Sequence, residues 1–285
     1  MKKISKNNIH FFVNDLNNKF WHSFGKNGWE NYTYIAFDVF LKKNRSYIDI
    51  GAWIGPTVLY GCQRAKCCYA IEPDPVAFKI LQDNISLNPC LKNKITLFNG
   101  CLGETCGLVG LGISFGLNDC GFGDSVSSML FPESEKSLTV NSLTIEKLTE
   151  RYNIEDCNFL KMDIEGGETI LLPSMKDYLQ KNKPTLHISL HPNWFRDIEK
   201  DSRMIIDVLK MYKYLFFDNG KIIKRDDLYG ILLRKKNITL VATEAGSWFP
   251  LFCLYKRVMM EINQRGVASL YRKILDKVSH SQLGF

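Results

Sequence analysis

Residues 49–74 read DIGAWIGPTVLYGCQRAKCCYAIEPD. Tyr47 to Ile50 is a short apolar strand that runs into the turn Gly51-Ala52-Trp53-Ile54-Gly55. Pro56, tolerated in the first turn of a helix, opens a helix predicted to about Arg64. A second strand, Cys67 to Ile71, ends on Glu72-Pro73-Asp74-Pro75. Strand, glycine turn, helix and strand form a βαβ unit, and such units build parallel sheets. Gly51 and Gly55 let the backbone turn tightly and leave room for a ligand. Glu72 lies 21 residues beyond Gly51. At that spacing a doubly wound sheet brings a carboxylate onto ribose hydroxyls.

The spacing also excludes ligands. A pyrophosphate cradle needs G-x-G-x-x-G, whereas this turn is G-x-x-x-G with the bulky Trp53 and Ile54 inside it. A P-loop lysine motif is absent from the sequence. A nucleoside without phosphates fits better, and Asp49 at the strand end suits a positive group. S-adenosylmethionine (SAM) combines ribose, adenine, an ammonium and a sulfonium, so SAM is the expected cofactor.

Working outward, the alternation continues. A helix is predicted from Val76 to about Leu87, with Phe78, Leu81 and Ile85 on one face. Lys94 to Phe98 is a third strand. Residues 101–141 are rich in Gly, Ser and Asp and read as a β-hairpin-like insertion. Then come a helix over Thr144 to Tyr152, a strand over Phe159 to Met162 and a helix over Glu168 to Gln180. A strand over Thr185 to Leu190 and a helix over Asp197 to Tyr212 follow. Tyr214 to Phe217, Lys221 to Ile223 and Gly230 to Leu233 read as strands forming an antiparallel edge. The expected fold is α/β: a mostly parallel seven-stranded sheet over residues 31–240. A basic extension (1–30) and a basic amphipathic tail (241–285) flank it.

The 285 residues are 45% hydrophobic and 24% charged, ordinary globular composition. No run of about 18 apolar residues occurs, so no transmembrane helix is expected. The start, MKKISKNNIHFFVND, has too short an apolar run for a signal peptide. Nine cysteines without a CxxC pair argue against a zinc ribbon and for buried, reduced thiols in a cytoplasmic protein. The net charge of +7 resides in residues 1–30 and 248–285, leaving the middle neutral. That is unlike a nucleic-acid enzyme with a basic working face. In the tail, Trp248, Phe249, Leu251, Phe252, Leu254 and Tyr255 form an apolar cluster. A helix is predicted over 267–278, with Leu270, Ile274 and Val278 opposite Arg272, Lys273 and Lys277. Such a segment suits an anionic membrane surface or an acidic partner; the plainer alternative is a helix packed on the domain.

DIGAWIG, AIEPD (70–74) and FLKMDIEGGE (159–168) together resemble the FkbM-family SAM-dependent methyltransferases. Leu160 to Glu168 is similar to that family's L-K-x-D-x-E-G-x-E motif. LTVNSLTIEKL (138–148) and HISLHP (187–192) are similar to the segments on either side of it. The resemblance covers roughly residues 30–235. Trp53 departs from it, standing where many relatives carry Asn; Ser142-Leu143-Thr144 stands where Thr-Leu-Asp is frequent. The resemblance implies a Rossmann-like class I methyltransferase fold and O-methyl transfer to a hydroxyl of a sugar or secondary metabolite.

Ligands of open α/β sheets sit beyond the carboxyl ends of the strands. The cofactor is therefore assigned to Asp49, Gly51, Ala52, Gly55, Glu72, Asp163 and Asn99, whose amide would read the adenine edge. A hydroxyl nucleophile needs a proton acceptor, and Asp163, Glu165 and His191 at the fourth and fifth strand ends are the candidates. His191 could instead merely bond a loop, Asp163 cap the following helix, and Asn99 form a simple turn; His187, mid-strand, reads as packed. Asp163, Glu165 and His191 could also hold Mg²⁺, but with so few ligands no metal is expected. The acceptor is a small molecule or glycan, with specificity placed in the 101–141 insertion. Alternatives are a non-catalytic binding module and a nicotinamide-dependent oxidoreductase, the latter weakened by the missing second glycine.

Overall fold

A computed structural model describes residues 1–14, 19–24, 30–113 and 122–265. Lys2–Lys6 (β1) and Ile9–Val13 (β2) pair antiparallel, and helices Lys19–Phe24 (α1) and Asn31–Phe40 (α2) follow. The first half of the central sheet holds Ser46–Ile50 (β3), Pro56–Gly61 (α3), Cys68–Glu72 (β4), Pro75–Ser86 (α4), Pro89–Lys92 (α5) and Ile95–Asn99 (β5). The insertion contributes Cys101–Leu102 (β6), Gly107–Ile113 (β7), Ser127–Ser128 (β8) and Ser137–Leu143 (β9). The second half holds Ile145–Tyr152 (α6), Cys157–Met162 (β10), Glu168–Ser174 (α7), Lys176–Asn182 (α8), Thr185–Leu190 (β11) and Ile198–Leu209 (α9). Tyr214–Phe217 (β12), Arg225–Leu232 (α10), Ile238–Thr243 (β13) and Phe249–Arg265 (α11) complete it.

The central sheet has seven strands in the order β12-β13-β11-β10-β3-β4-β5, mostly parallel, with β13 antiparallel to both its neighbours. This is the expected Rossmann-like arrangement with an antiparallel edge. Every residue of β3 is buried, as in a strand covered on both faces. Its side chains alternate between the two cores: Tyr47 joins the layer with α2, α3 and α4, and Ile48 and Ile50 join the layer with α6, α7 and α9.

Five expectations need correction, the last of them the insertion. Gly230 to Leu233 is not a strand: α10 runs through it, with Asp226 and Asp227 in its first turn and Leu228 and Leu232 buried one turn apart. The acids favour a helix N-terminus, and the strand beside Tyr214–Phe217 is instead the β-branched run Ile238–Thr243, which lies between β12 and β11. Lys221 to Ile223 contributes a single bridge, Phe216 to Ile222. The helix expected over 168–180 is two helices that meet at Met175, just past Pro173. Among the cysteines, Cys90 and Cys106 are exposed rather than buried.

The insertion is larger than a hairpin: β7 and β9 do pair antiparallel, within a four-stranded sheet of order β6-β9-β7-β8. The N-terminal segment packs against the domain, with Phe11, Val13, Trp21 and Phe24 in the core. At the other end, Phe249 of α11 packs on Phe40 and Phe216. The helix expected over 267–278 lies outside the described residues. Among the described residues no helix is long and apolar enough to cross a membrane.

Candidate active site

A cavity of about 420 Å³ opens at the carboxyl ends of the parallel strands, a volume suited to a small organic ligand. It lies where the strand order reverses, between β3 and β10. Its walls come from the β3–α3 turn, the end of β4, the insertion, the turn after β10, and residues of β11 and β13.

The turn after β3 is built around Gly51, which has φ +79°. A Cβ there would lie 1.9 Å from the Asp163 carbonyl oxygen, so only glycine lets the two central strand ends approach. The N–H groups of Gly51 and Ala52 both donate to the Ile71 carbonyl. The next N–H, of Trp53, donates to Glu72 Oε2 (2.7 Å), and the Asp74 N–H donates to Glu72 Oε1 (2.8 Å). Glu72 is thereby fixed at the cavity wall, 5% exposed. Burial outweighs the two donated hydrogen bonds and pushes its carboxyl up to about 7.

Trp53 sits in the left-handed region, φ +48°, where Asn is the easier residue. Its side chain reaches the insertion, where indole Nε1 donates to the Gly123 carbonyl (2.8 Å). The Gly123 N–H donates to Asp74 Oδ2 (2.6 Å), while Asp74 Oδ1 caps α4. Trp53 and Asp74 together clamp the insertion over the cavity at one residue.

Three residues assigned to the cofactor do not line the cavity. Asp49 is fully buried beneath the turn and pairs with Lys161 (3.2 Å), its neighbour across the β3–β10 register. Burial raises its carboxyl pKa. Gly55 shapes the turn (φ +96°) and clears Leu81 of α4, which a Cβ would meet at 2.6 Å. Asn99 donates to the Glu72 carbonyl (2.9 Å) and so ties β5 to β4. Gly51, Ala52, Glu72, Asp163, Glu165 and His191 do line it.

Lys161 is a site residue that the sequence reading does not single out. It reaches the cavity wall and donates to the Gly51 carbonyl (2.6 Å). Burial alone would lower its pKa, but Asp49, Asp163 and Glu30 outweigh that and raise it. A signal for it exists in the sequence: Lys161 and Asp163 share a strand parity. Glu30 and Phe20, ahead of the expected domain start, also line the cavity. Burial, then the charge of Asp163, push Glu30 up to about 7.

On the far side, Glu165 has φ +52° and turns back toward His191. His191 Nε2 lies 3.7 Å from Asp163 Oδ1 and 3.6 Å from Glu165 Oε2. Its Nδ1 lies 3.0 Å from Glu168 Oε1, which also accepts the Ile164 N–H. Burial would lower the imidazole pKa; the Glu168 hydrogen bond and the three surrounding carboxylates outweigh it and raise it to about 9. Glu165 is pushed up to about 7, chiefly by burial. His187 packs neutral in the core, its pKa lowered to about 3 by burial.

Among the described residues five carboxylates line the cavity, those of Glu30, Glu72, Asp124, Asp163 and Glu165, against the cations Lys161 and His191. Lys161 is already matched by Asp49. Such a wall repels a pyrophosphate and attracts a ligand carrying positive charge. This set of acceptors fits a ligand that carries hydroxyl groups and positive charge.

The family described as Methyltransferase FkbM domain matches residues 49–216. No curated protein matches the chain. Among solved structures, a Methyltransferase FkbM from Methylobacillus flagellatus is 18% identical, with a TM-score of 0.45, over 71% of this chain and 44% of its own. The chain thus spans less than half the length of that protein. A precorrin-6y C5,15-methyltransferase from Geobacter metallireducens is 10% identical over 82% of this chain and 94% of its own, TM-score 0.40. TYW2 from P. horikoshii, in complex with MeSAdo, is 13% identical over 85% of this chain and 71% of its own, TM-score 0.37.

Proposed function

Because the chain belongs to the FkbM methyltransferase family, we propose that it transfers the methyl group of SAM to a hydroxyl oxygen of a sugar or related small metabolite. The observation that carries this reading is the acid-lined cavity at the strand switch point, with Glu72 fixed on its wall. Gly51 and Ala52 pass the nucleoside, Glu72 accepts from its ribose hydroxyls, and Glu30 and Asp163 face its positive charge. When bound, SAM supplies a methyl made electrophilic by the sulfonium.

What remains for the protein is to align the acceptor and to take up a proton. Alignment alone is worth about 7–11 kcal/mol of the barrier. His191, expected to be a base, is held protonated at neutral pH, with its pKa raised to about 9; it orients the two carboxylates. Glu165, with a pKa pushed up to about 7, is the proton acceptor this reading favours, since a base works best with a pKa near the operating pH. Ser127, Ser128, Asn237 and Thr239 line the same cavity and offer the hydrogen-bonding partners a polyhydroxylated acceptor needs.

The tail contact is proposed on the exposed Trp248, Leu251, Leu254 and Tyr255 beside Lys256 and Arg257, which support contact with an anionic membrane where lipid-linked glycans occur. Methyl-labelled SAM with a panel of hydroxylated sugars tests the activity. Label should pass to an acceptor in the wild type; label that stays on SAM across amine and hydroxyl acceptors alike would count against transfer.

A further inference from the structure

Asp163, Glu165 and His191 form a pattern that proton transfer alone does not require. His191 is 6% exposed and its ring is fixed from behind by the fully buried Glu168. With Nδ1–H donated to that carboxylate, Nε2 is aimed into the cavity. Among the described residues Nε2 closes no hydrogen bond there: it is only ion-paired with Asp163 Oδ1 and Glu165 Oε2, at 3.7 and 3.6 Å, beyond hydrogen-bond reach. One buried nitrogen and two carboxylate oxygens therefore converge, within 4.8 Å of one another, around a common point that calls for positive charge. A proton on Nε2 supplies the charge without closing a hydrogen bond. A metal ion about 2.0–2.2 Å from each ligand atom would displace that proton and bind all three once the two carboxylates turn inward toward the imidazole. Glu168 behind His191 is the carboxylate–histidine support that metal-ligating imidazoles regularly have.

We propose that this cluster is a divalent-cation site, with Asp163, Glu165 and His191 as ligands, Glu168 as the positioning residue, and the remaining positions open to the cavity. Two carboxylates with one imidazole suit Mn²⁺ or a neighbouring first-row ion better than Ca²⁺. The ligands come from the ends of adjacent strands, β10 and β11, on the wall where the acceptor is placed. An ion there would hold the acceptor's hydroxyl oxygen and lower its proton affinity, so that the free oxygen of Glu165, a weaker base once ligated, suffices to take the proton. That role rests on the methyltransferase reading; the binding of the ion does not.

Mn²⁺ is the probe, added to the full chain without SAM. Electron paramagnetic resonance should show the free-ion signal lost until one Mn²⁺ is bound per chain. Pulsed measurements on the bound ion should show coupling to one imidazole nitrogen. Asp163→Asn and His191→Gln should each weaken binding at least about tenfold, and Glu168→Gln by about 10–100-fold; circular dichroism confirms that each variant is folded. The wild-type nitrogen coupling decides the matter if a variant fails to fold. No binding at about 1 mM Mn²⁺, the weak end of protein divalent sites, would overturn the proposal. So would bound Mn²⁺ with no nitrogen coupling, or affinity unchanged in folded Asp163→Asn and His191→Gln. SAM affinity measured on the same protein separates the two readings: SAM bound without Mn²⁺ removes the ion alone, and Mn²⁺ bound without SAM removes the cofactor.

Discussion

Replacing Glu72 with Gln preserves the side chain's shape and removes its charge. Each carboxylate oxygen now accepts one backbone N–H, from Trp53 and from Asp74. An amide has one accepting oxygen, so its NH₂ must face one of those donors and leave it unpaired. An orphaned buried N–H costs about 1–3 kcal/mol. Against this, the variant no longer carries a carboxylate whose pKa burial holds at about 7, so the fold should survive with a modest change in melting temperature. On the ligand side, one of two charge-assisted bonds to the ribose is lost, about 1.5–3 kcal/mol. That corresponds to roughly 10- to 150-fold in Kd. Titration calorimetry with SAM, beside a melting curve of the same sample, measures both. A folded Glu72→Gln protein that binds SAM within about threefold of wild type, below the roughly tenfold that one lost bond requires, would refute the ribose assignment.

Further outcomes follow from the same geometry. The ligand-free protein should lose stability between about pH 5 and 8, the three glutamates outweighing the opposite contribution of His187 below 6.5, while above 8 Lys6 offsets His191. Glu30, Glu72 and Glu165 hold protons to about 7 instead of their ordinary 4.5, so the folded state binds more protons across that window and stability falls as pH rises through it. His191, raised from 6.5 to about 9, contributes stability below 6.5 that is lost through 9, the same sign. A melting temperature that climbs from pH 5 to 8 would contradict this. Glu165→Gln should lower turnover by about 10²–10⁴-fold while SAM affinity changes little, as read from initial rates and calorimetry once an acceptor is in hand. Trp53→Phe removes the indole bond to Gly123; proteolytic cleavage within the insertion should become faster, with melting temperature lowered by a few degrees, about 1 kcal/mol. The full chain should co-sediment with anionic vesicles at low salt, and a chain ending at residue 247 should not; equal behaviour would leave the tail as packing only.

The central sheet was legible because its signals are local. A strand feeding a glycine turn, an acid at fixed spacing and helices of steady period each constrain the chain within 30 residues or so, the length of a βαβ unit. The antiparallel edge was legible only in kind. Gly230 to Leu233 is apolar enough for a strand, and only its place after Asp226 and Asp227, with Leu228 and Leu232 four apart, marks it as helix. At the site, residues on the turn and strand ends were found where strand order alone places them. The burial of Asp49 away from the cavity is not legible because its partner is set by register: Lys161 stands beside it across β10, and a salt bridge between strands 112 residues apart has no local mark. Glu30 and Phe20 reach the cavity from a segment that reads as a basic appendage, since packing of the N-terminal hairpin depends on surfaces the sequence does not order. Glu168 was legible as part of a motif, but its service to His191 needs the β10–β11 pairing.

Titration calorimetry of the wild-type chain with SAM and, separately, with NAD tests the central claim most directly. A cavity walled by five carboxylates, with a glycine turn too bulky for a pyrophosphate, should bind one SAM per chain and give no heat with NAD. Saturable NAD binding with no SAM binding would contradict the account.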